Sequence, residues 1–148
     1  MCIFSGGLSN FIRKAFRKFC EWRAKRDAAR WQEWEEITKT AAREIKLVVR
    51  AGRTYQSARR GVKVWLSVWG LAGWSDRRPS WFEEDYRPRK GRILIVSASE
   101  GRGSHGDREV LYVERIERSV PDQVYRGWKR HNLRRTKQGK VSTLLPSR

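Results

Sequence analysis

The chain has 148 residues and a formal net charge of +18, because 34 Lys and Arg face only 16 Asp and Glu. Apolar residues make up 39% of it, so the composition excludes disorder throughout and allows one domain with a modest core. Two cysteines exclude a disulfide scaffold or a four-cysteine zinc site, and the apolar runs are too short and interrupted to span a bilayer. The surplus of cations favours an anionic partner, either a polyanion or an anionic membrane surface.

A long amphipathic helix, or a pair of helices, is predicted for residues 8–50. Apolar side chains recur there at steps of three and four residues, which places them on one arc of a helix. In the first part of this segment they are Leu8, Phe11, Ile12, Ala15, Phe16, Phe19 and Trp22. The cations on the opposite arc are Arg13, Lys14, Arg17 and Lys18.

This N-terminal helix is open to three interpretations. Its cations could straddle the phosphates of RNA. Alternatively, residues 8–22 could lie on an anionic membrane, with Phe11, Phe16, Phe19 and Trp22 at the acyl boundary. The segment could also be an ordinary amphipathic helix with a solvated polar face.

Two indoles lie further along the same helix, in the sequence Arg30-Trp31-Gln32-Glu33-Trp34. A spacing of three places Trp31 and Trp34 on one side of the helix, about a turn apart. In one interpretation they stack on exposed bases beside the Arg30 cation. In the other they are large core residues.

A second helix is predicted for residues 54–69, which makes the segment 8–70 helical. Its apolar face consists of Tyr55, Ala58, Val62, Trp65 and Trp69. A basic patch lies near the joint between the two helices and could follow phosphates or be a solvated surface. Its members are Arg50, Arg53, Arg59, Arg60 and Lys63.

A β-hairpin is predicted for residues 91–117. Its two runs of β-prone residues, 92–98 and 109–116, are separated by a segment with three glycines that lacks the pattern of a phosphate-binding loop. Residues 109–118 could alternatively be helical. The cations expected to form an RNA-contacting surface here are Arg89, Lys90, Arg92 and Arg102.

A flexible basic tail is predicted for residues 126–148, after a single compact domain that spans residues 1–125. No acidic residue occurs in this tail, so it could bind nucleic acid by releasing counterions. The tail cations predicted to contact RNA are Lys129, Arg130, Arg134, Arg135 and Lys137. The whole chain is therefore predicted to be a helix-rich α+β protein.

Catalysis finds little support in the sequence. The two imidazoles, His105 and His131, have no partner at the spacing of a metal site, and no serine lies in a nucleophile motif. We therefore expect no catalytic residue, no metal, no cofactor and no enzymatic activity.

The Trp31–Trp34 pair and the segment Gly91–Gly101 resemble parts of the small RNA-silencing suppressors of tombusvirus-like plant viruses. This resemblance implies a homodimer in which paired indoles bracket the ends of short duplex RNA, with a basic β-surface along the phosphates. More generally, a small, basic, Trp-rich chain is similar to the accessory proteins of RNA viruses.

The function expected from the sequence is binding of double-stranded or structured RNA without sequence readout, in a viral accessory protein that suppresses host silencing. The expected location is the cytoplasm of the host cell, with the nucleus or nucleolus as further sites because of the basic tail. Two alternatives stay open at this point. One is a membrane-associated viral replication or movement factor, and the other is an organellar ribosomal or ribonucleoprotein subunit.

Overall fold

The computed structural model describes residues 10–57, 61–83, 86–100 and 110–143 of the chain. In this part of the chain, helices precede and follow a run of strands. In chain order the elements are α1 (Asn10–Arg43), β1 (Leu47–Ser57), β2 (Gly61–Gly70), β3 (Gly73–Trp74), β4 (Arg78–Phe82), β5 (Ile93–Glu100), β6 (Leu111–Val120) and α2 (Asp122–Thr143).

Five of these described strands close into a barrel. The strand order is β1-β5-β6-β4-β2, and β2 pairs with β1 to complete the ring. The β4–β6 pair is parallel, and the other barrel pairs are antiparallel. The short strand β3 adds to the end of β2 as a hairpin.

The barrel forms because apolar residues alternate along its strands. In β2, for example, Val64 and Leu66 are buried inside the barrel, while Lys63 and Trp65 face outward. The buried core comprises Val49, Ala51, Val64, Leu66, Leu94, Val96, Leu111 and Val113. These β-branched and aliphatic side chains suit a pleated, closed sheet.

Strand β1 pairs with β5 on one side and with β2 on the other, and its pairing with β2 is irregular. Its pairing with β2 shifts register between Ala51 and Thr54, which is the signature of a β-bulge. Gly52 lies in this bulge, where an added Cβ would stand 3.2 Å from the carbonyl oxygen of Trp65. The absence of a side chain therefore allows the two backbones to approach.

The connectivity of the barrel is that of the OB-fold. Numbered as barrel strands alone, β1, β2, β4, β5 and β6 follow the order 1-2-3-5-4-1, with the third and fifth strands parallel. OB-folds are five-stranded Greek-key barrels.

The chain divides into two compact units, one spanning Glu35–Asp122 and the other combining α1 up to Trp34 with α2 from Gln123 onward. In the helical unit, Trp34 is fully buried and its ring lies 5.2 Å from that of Tyr125 and 6.4 Å from that of Trp128. Gly127 packs against Arg30, and an added Cβ would lie 2.7 Å from the Cβ of Arg30. The small residue thus permits close approach of the two helices.

Helix α1 ends at Arg43 in a Schellman cap. The N–H of Lys46 donates to the carbonyl of Ala41 at 2.8 Å, and the N–H of Ile45 donates to that of Ala42 at 3.2 Å. Ile45 has a φ of 56° at the position where glycine is usual, and its side chain is 91% exposed. The prediction of helix through residue 50 is therefore wrong, because Leu47 already begins β1.

The predicted helix-rich fold is also wrong in its central part. Residues 54–69, predicted as a second helix, belong to the end of β1 and to β2, so the segment 8–70 is not helical throughout. Spacings of three and four among the apolar residues suggested a helix, but the alternation of Val64, Leu66 and Val68 toward the core is the period that the fold uses. Strand and helix contents are about equal in the described residues.

The C-terminal tail was predicted without fixed structure, yet its described residues up to Thr143 are helical in α2. Asp122 stands in the first turn, where a carboxylate complements the helix dipole. The strands of the predicted hairpin do pair as β5 and β6, but as two strands of the barrel. The helical alternative for residues 109–118 is wrong.

Candidate nucleic-acid interface

The outer surface of the barrel carries a group of aromatic side chains. They come from neighbouring strands and face outward because their sequence neighbours fill the core. The members are Tyr55 on β1, Trp65 and Trp69 on β2, Trp74 on β3, Trp81 on β4 and Tyr112 on β6. All but Tyr112 are partly exposed.

These rings associate in pairs across the strands. The ring centroids lie 4.7 Å apart in the pair Tyr55–Trp65 and 5.1 Å apart in the pair Trp69–Trp74. The corresponding distance between Trp81 and Tyr112 is 4.8 Å, and these two residues are direct partners in the β4–β6 register. Such cross-strand aromatic pairs both stabilise the sheet and hold the rings rigidly.

A cation lies over one ring of each pair. The Arg50 guanidinium carbon is 4.8 Å from the centroid of the Trp74 ring. The corresponding distance from Arg77 to the Trp65 ring is 5.5 Å. The ammonium nitrogen of Lys63 is 5.4 Å from the centroid of the Trp81 ring. We call these six rings and three cations the stacking face.

The stacking face combines two chemistries. Flat indole rings offer π-surfaces to bases of any identity, and cations offer charge to phosphates. Cation–π contacts hold each cation beside a ring without cancelling its charge. The face can therefore meet a base and a phosphate at neighbouring positions.

Tyr55 contributes a neutral ring to this face. Burial raises the pKa of its phenol, and a hydrogen bond from the backbone of Ser80 offsets only part of that rise. The phenol therefore stays uncharged at physiological pH and adds no repulsion against phosphate.

The sequence-predicted cations of the N-terminal helix lie on α1 in the helical unit. Arg13, Lys14, Arg17 and Lys18 are all exposed. The proposed membrane-facing residues are exposed as well, by 79% at Phe11, 46% at Phe16, 52% at Phe19 and 54% at Trp22.

The structure places Trp31 and Trp34 differently from one another. Trp34 has no exposed surface, which agrees with its interpretation as a core residue rather than as a platform. Trp31 is half-buried, donates its Nε1–H to Asn132 Oδ1 at 3.2 Å and lies beneath the Arg135 guanidinium. Arg30 is half-buried against Gly127.

Two of the predicted tail cations are engaged within the helical unit. Arg130 donates from Nε and Nη2 to the carboxylate of Asp27, at 3.1 and 3.0 Å. Arg134 donates to the same carboxylate at 2.9 Å. Burial opposes ionisation of Asp27, but the hydrogen bonds and charges of both arginines prevail and hold the pKa of Asp27 below its ordinary value. The three other tail cations, Lys129, Arg135 and Lys137, are exposed.

Three of the remaining predicted cations are described in the barrel region. Arg89, Lys90 and Arg92 are exposed in the turn before β5, where the N–H of Gly91 donates to the carbonyl of Ala51 at 2.7 Å. Arg59, Arg60 and Arg102 lie outside the described residues.

Sequence reasoning named cations and indoles as the chemistry of the site but missed the stacking face. Of its members, Arg50 and Lys63 belonged to the basic patch left open as a phosphate track or a solvated surface, and neither the four indoles nor Arg77 were among the predicted contacts. The period-two pattern of residues 62–69 was the signal that could have found it, because it places Lys63, Trp65 and Trp69 on one face of a strand.

Within the described ranges, no cluster of three or more His, Cys, Asp or Glu residues could hold a metal ion. Neither α1 nor α2 combines the length and the apolar character needed to cross a membrane, as far as their described residues go.

Comparisons with known proteins return no match to a family model, to a curated protein or to a solved structure. The resemblance to silencing suppressors, the viral setting, the cellular location and the homodimer therefore stay predictions.

Proposed function

We propose that this protein binds single-stranded nucleic acid without reading its sequence, through the stacking face of its barrel. The observation that carries the proposal is the placement of three cross-strand ring pairs, each with a cation within 5.5 Å of a ring, on one described outer surface. Sequence-tolerant binding of single strands uses this combination of aromatic platforms and a basic track.

The fold supports the proposal by analogy. OB-fold barrels bind oligonucleotides and oligosaccharides on the face of their second and third strands. Here those strands are β2 and β4, which carry Trp65, Trp69 and Trp81. The cations on the face and the net charge of +18 favour the polyanion over the neutral sugar.

Single strands fit the face better than the duplex RNA expected from the sequence. A base can stack on an indole only when its own face is uncovered, whereas bases within a duplex are already stacked on each other. A duplex would meet the cations alone. Unpaired RNA and single-stranded DNA present the same phosphate and base chemistry, so we expect both to bind.

Binding then proceeds by exchange at each ring. An incoming base takes the surface of the Trp65 or Trp81 ring, and the displaced Arg77 or Lys63 side chain moves to the adjacent phosphate. The cation–π contacts keep these side chains near their final positions, which reduces the entropy lost on binding.

The test titrates the full chain with single-stranded oligonucleotides of mixed sequence and with the matching duplex, and follows Trp fluorescence and anisotropy. Replacing Trp65 or Trp81 with Ala should weaken single-strand binding about 5- to 150-fold, the range for one stacked base. Trp65→Phe should retain most of the affinity because it keeps a ring. The matched control is Trp22→Ala, which removes an exposed indole from α1.

Salt dependence provides a second readout. Three phosphate contacts predict a slope of about −2 for the logarithm of the association constant against that of salt concentration. Lys63→Gln should reduce the steepness by about 0.7, whereas Lys39→Gln, at an exposed site on α1, should do so less. If Trp65→Ala and Trp81→Ala fold normally and bind like Trp22→Ala, the stacking face is not the interface.

A further inference from the structure

The first three turns of α1 present a second surface that the stacking face does not involve. Its apolar members are Phe11, Ile12, Phe16, Phe19 and Trp22, each more than 40% exposed. We call them the apolar stripe. Such a concentration of large exposed apolar side chains is unusual on a helix in water and marks an interaction surface.

The stripe occupies one side of the helix. At 100° per residue its members span an arc of about 140°, and Arg13, Lys14, Arg17 and Lys18 fill most of the remainder. The Phe19 and Trp22 rings lie 6.1 Å apart, so the two side chains form a continuous patch. The first turn holds no acidic residue, and Glu21 is the first acid in the sequence.

Further along, α1 changes its role. Asp27 and Trp34 contact residues of α2 and are fully buried, as expected for packing within the helical unit. The stripe precedes these contacts, and its side chains remain exposed in the same helix. The segment Asn10–Trp22 thus keeps five large apolar side chains more than 40% exposed.

We propose that residues 10–22 of α1 dock the protein on an anionic lipid surface, with the apolar stripe at the acyl boundary and the flanking cations among the headgroups. This function is separate from the proposed nucleic-acid binding. Interfacial helices of this kind combine a bulky aromatic face with a basic polar face.

The positions of the charges favour a lipid surface over a second copy of this chain or a nucleic acid as the partner of the stripe. Lys18 lies about 20° beyond one edge of the arc and Arg13 about 60° beyond the other. In a second copy of this stripe, the same cations would meet at both margins and repel. A nucleic-acid strand that contacted the cations would leave most of the stripe, on the opposite arc of the helix, in water. Anionic lipid satisfies both surfaces at once.

The experiment measures flotation of the full chain with two kinds of vesicle. One contains phosphatidylcholine alone, and the other also contains about 30 mol% phosphatidylserine, an anionic lipid that attracts polybasic segments. We expect binding to the anionic vesicles only. Phe16→Glu with Phe19→Glu should weaken it by about a hundredfold or more, because each phenylalanine moved out of water contributes roughly a factor of ten.

The matched control is Leu71→Glu with Leu133→Glu. It makes the same change in charge at exposed apolar residues outside the stripe, and it should retain most of the binding. Brominated acyl chains should quench the wild-type fluorescence more than that of Trp22→Phe, since Trp22 ends the stripe.

Equal loss of binding in both double variants would overturn the proposal, because attraction would then depend on net charge alone. Failure to bind the anionic vesicles would also overturn the proposal. So would a wild-type dimer in light scattering that dissociates in Phe16→Glu/Phe19→Glu, because the stripe would then join two copies. Oligonucleotide affinity, measured in the same variants, reports on the stacking face independently.

Discussion

The ionised carboxylate of Asp27 should be the main electrostatic contribution to the stability of the helical unit. Its side chain has no exposed surface and accepts hydrogen bonds from Arg130 and Arg134. Asp27→Asn keeps the size of the side chain but removes the charge that both guanidinium groups require.

The size of the effect follows from the exposure of the partners. Breaking a fully buried ion pair costs about 3–5 kcal/mol, because the group left behind is buried and unpaired. Here Arg130 and Arg134 are 33% and 41% exposed, so water can solvate them in part after the change. We therefore expect a loss of about 2 kcal/mol, or roughly 6 °C in the melting temperature of a chain of this size.

The pH dependence has a definite sign. The pKa of Asp27 is lower in the folded protein than its ordinary value of 3.8, so the carboxylate contributes full stability above that value. The contribution disappears as the pH falls through the still lower folded pKa. The gap between wild type and Asp27→Asn should stay constant from pH 7 to about pH 4 and narrow below it.

The assay is thermal and urea unfolding followed by circular dichroism at 222 nm, between pH 2 and pH 7. Glu33→Gln is the control, because it removes the same charge from an exposed site on α1 and should change stability by less than about 0.5 kcal/mol. Equal stability of wild type and Asp27→Asn at pH 7 would refute the reasoning. A gap that widens as the pH falls from 7 to 5 would show that burial, not the arginines, controls the pKa.

Two further predictions concern backbone positions and use the same unfolding assay. Gly127→Ala should destabilise the protein relative to Gly139→Ala by about 1–3 kcal/mol, because the new Cβ meets Arg30 at Gly127 and open space at Gly139. Replacing Gly with Ala raises helix propensity by about 1 kcal/mol at both positions. Equal changes in stability in the two variants would therefore rule out the close contact between the helices. Ile45→Gly should stabilise the protein by about 1 kcal/mol, since it relieves a β-branched residue with a φ of 56° and loses little packing. A destabilised Ile45→Gly would contradict the assignment of strain to this cap.

The parts of the fold that sequence reasoning found are those whose local pattern has a single interpretation. The periodicity of Phe11, Phe16 and Phe19 fits a helix only, and α1 follows it. The run from Ile93 to Val96 is short and contains three β-branched residues, and β5 forms there. Each of these patterns is complete within a few residues.

The missed parts depend on partners that are distant in sequence. Residues 62–69 satisfy both a helical and an alternating pattern, and pairing of β2 with β1 and β4 selects the strand. Helix α2 was missed because its many cations resemble a disordered tail, whereas the Asp27 carboxylate that neutralises two of them lies about a hundred residues away. The stacking face has the same origin, since Trp81 and Tyr112 become neighbours only when the barrel closes.

The cations of this chain fall into groups with separable consequences. Arg130 and Arg134 share one buried carboxylate, so their charge is largely neutralised within the fold. Arg77 instead lies over the Trp65 ring, and a ring lowers the energy of a cation without cancelling its charge. The first group is therefore expected to govern stability, and the second remains attractive to phosphate. The chain can fold with a net charge of +18 because Asp27 neutralises two of its cations within the helical unit, while others such as Arg77 lie on exposed surface.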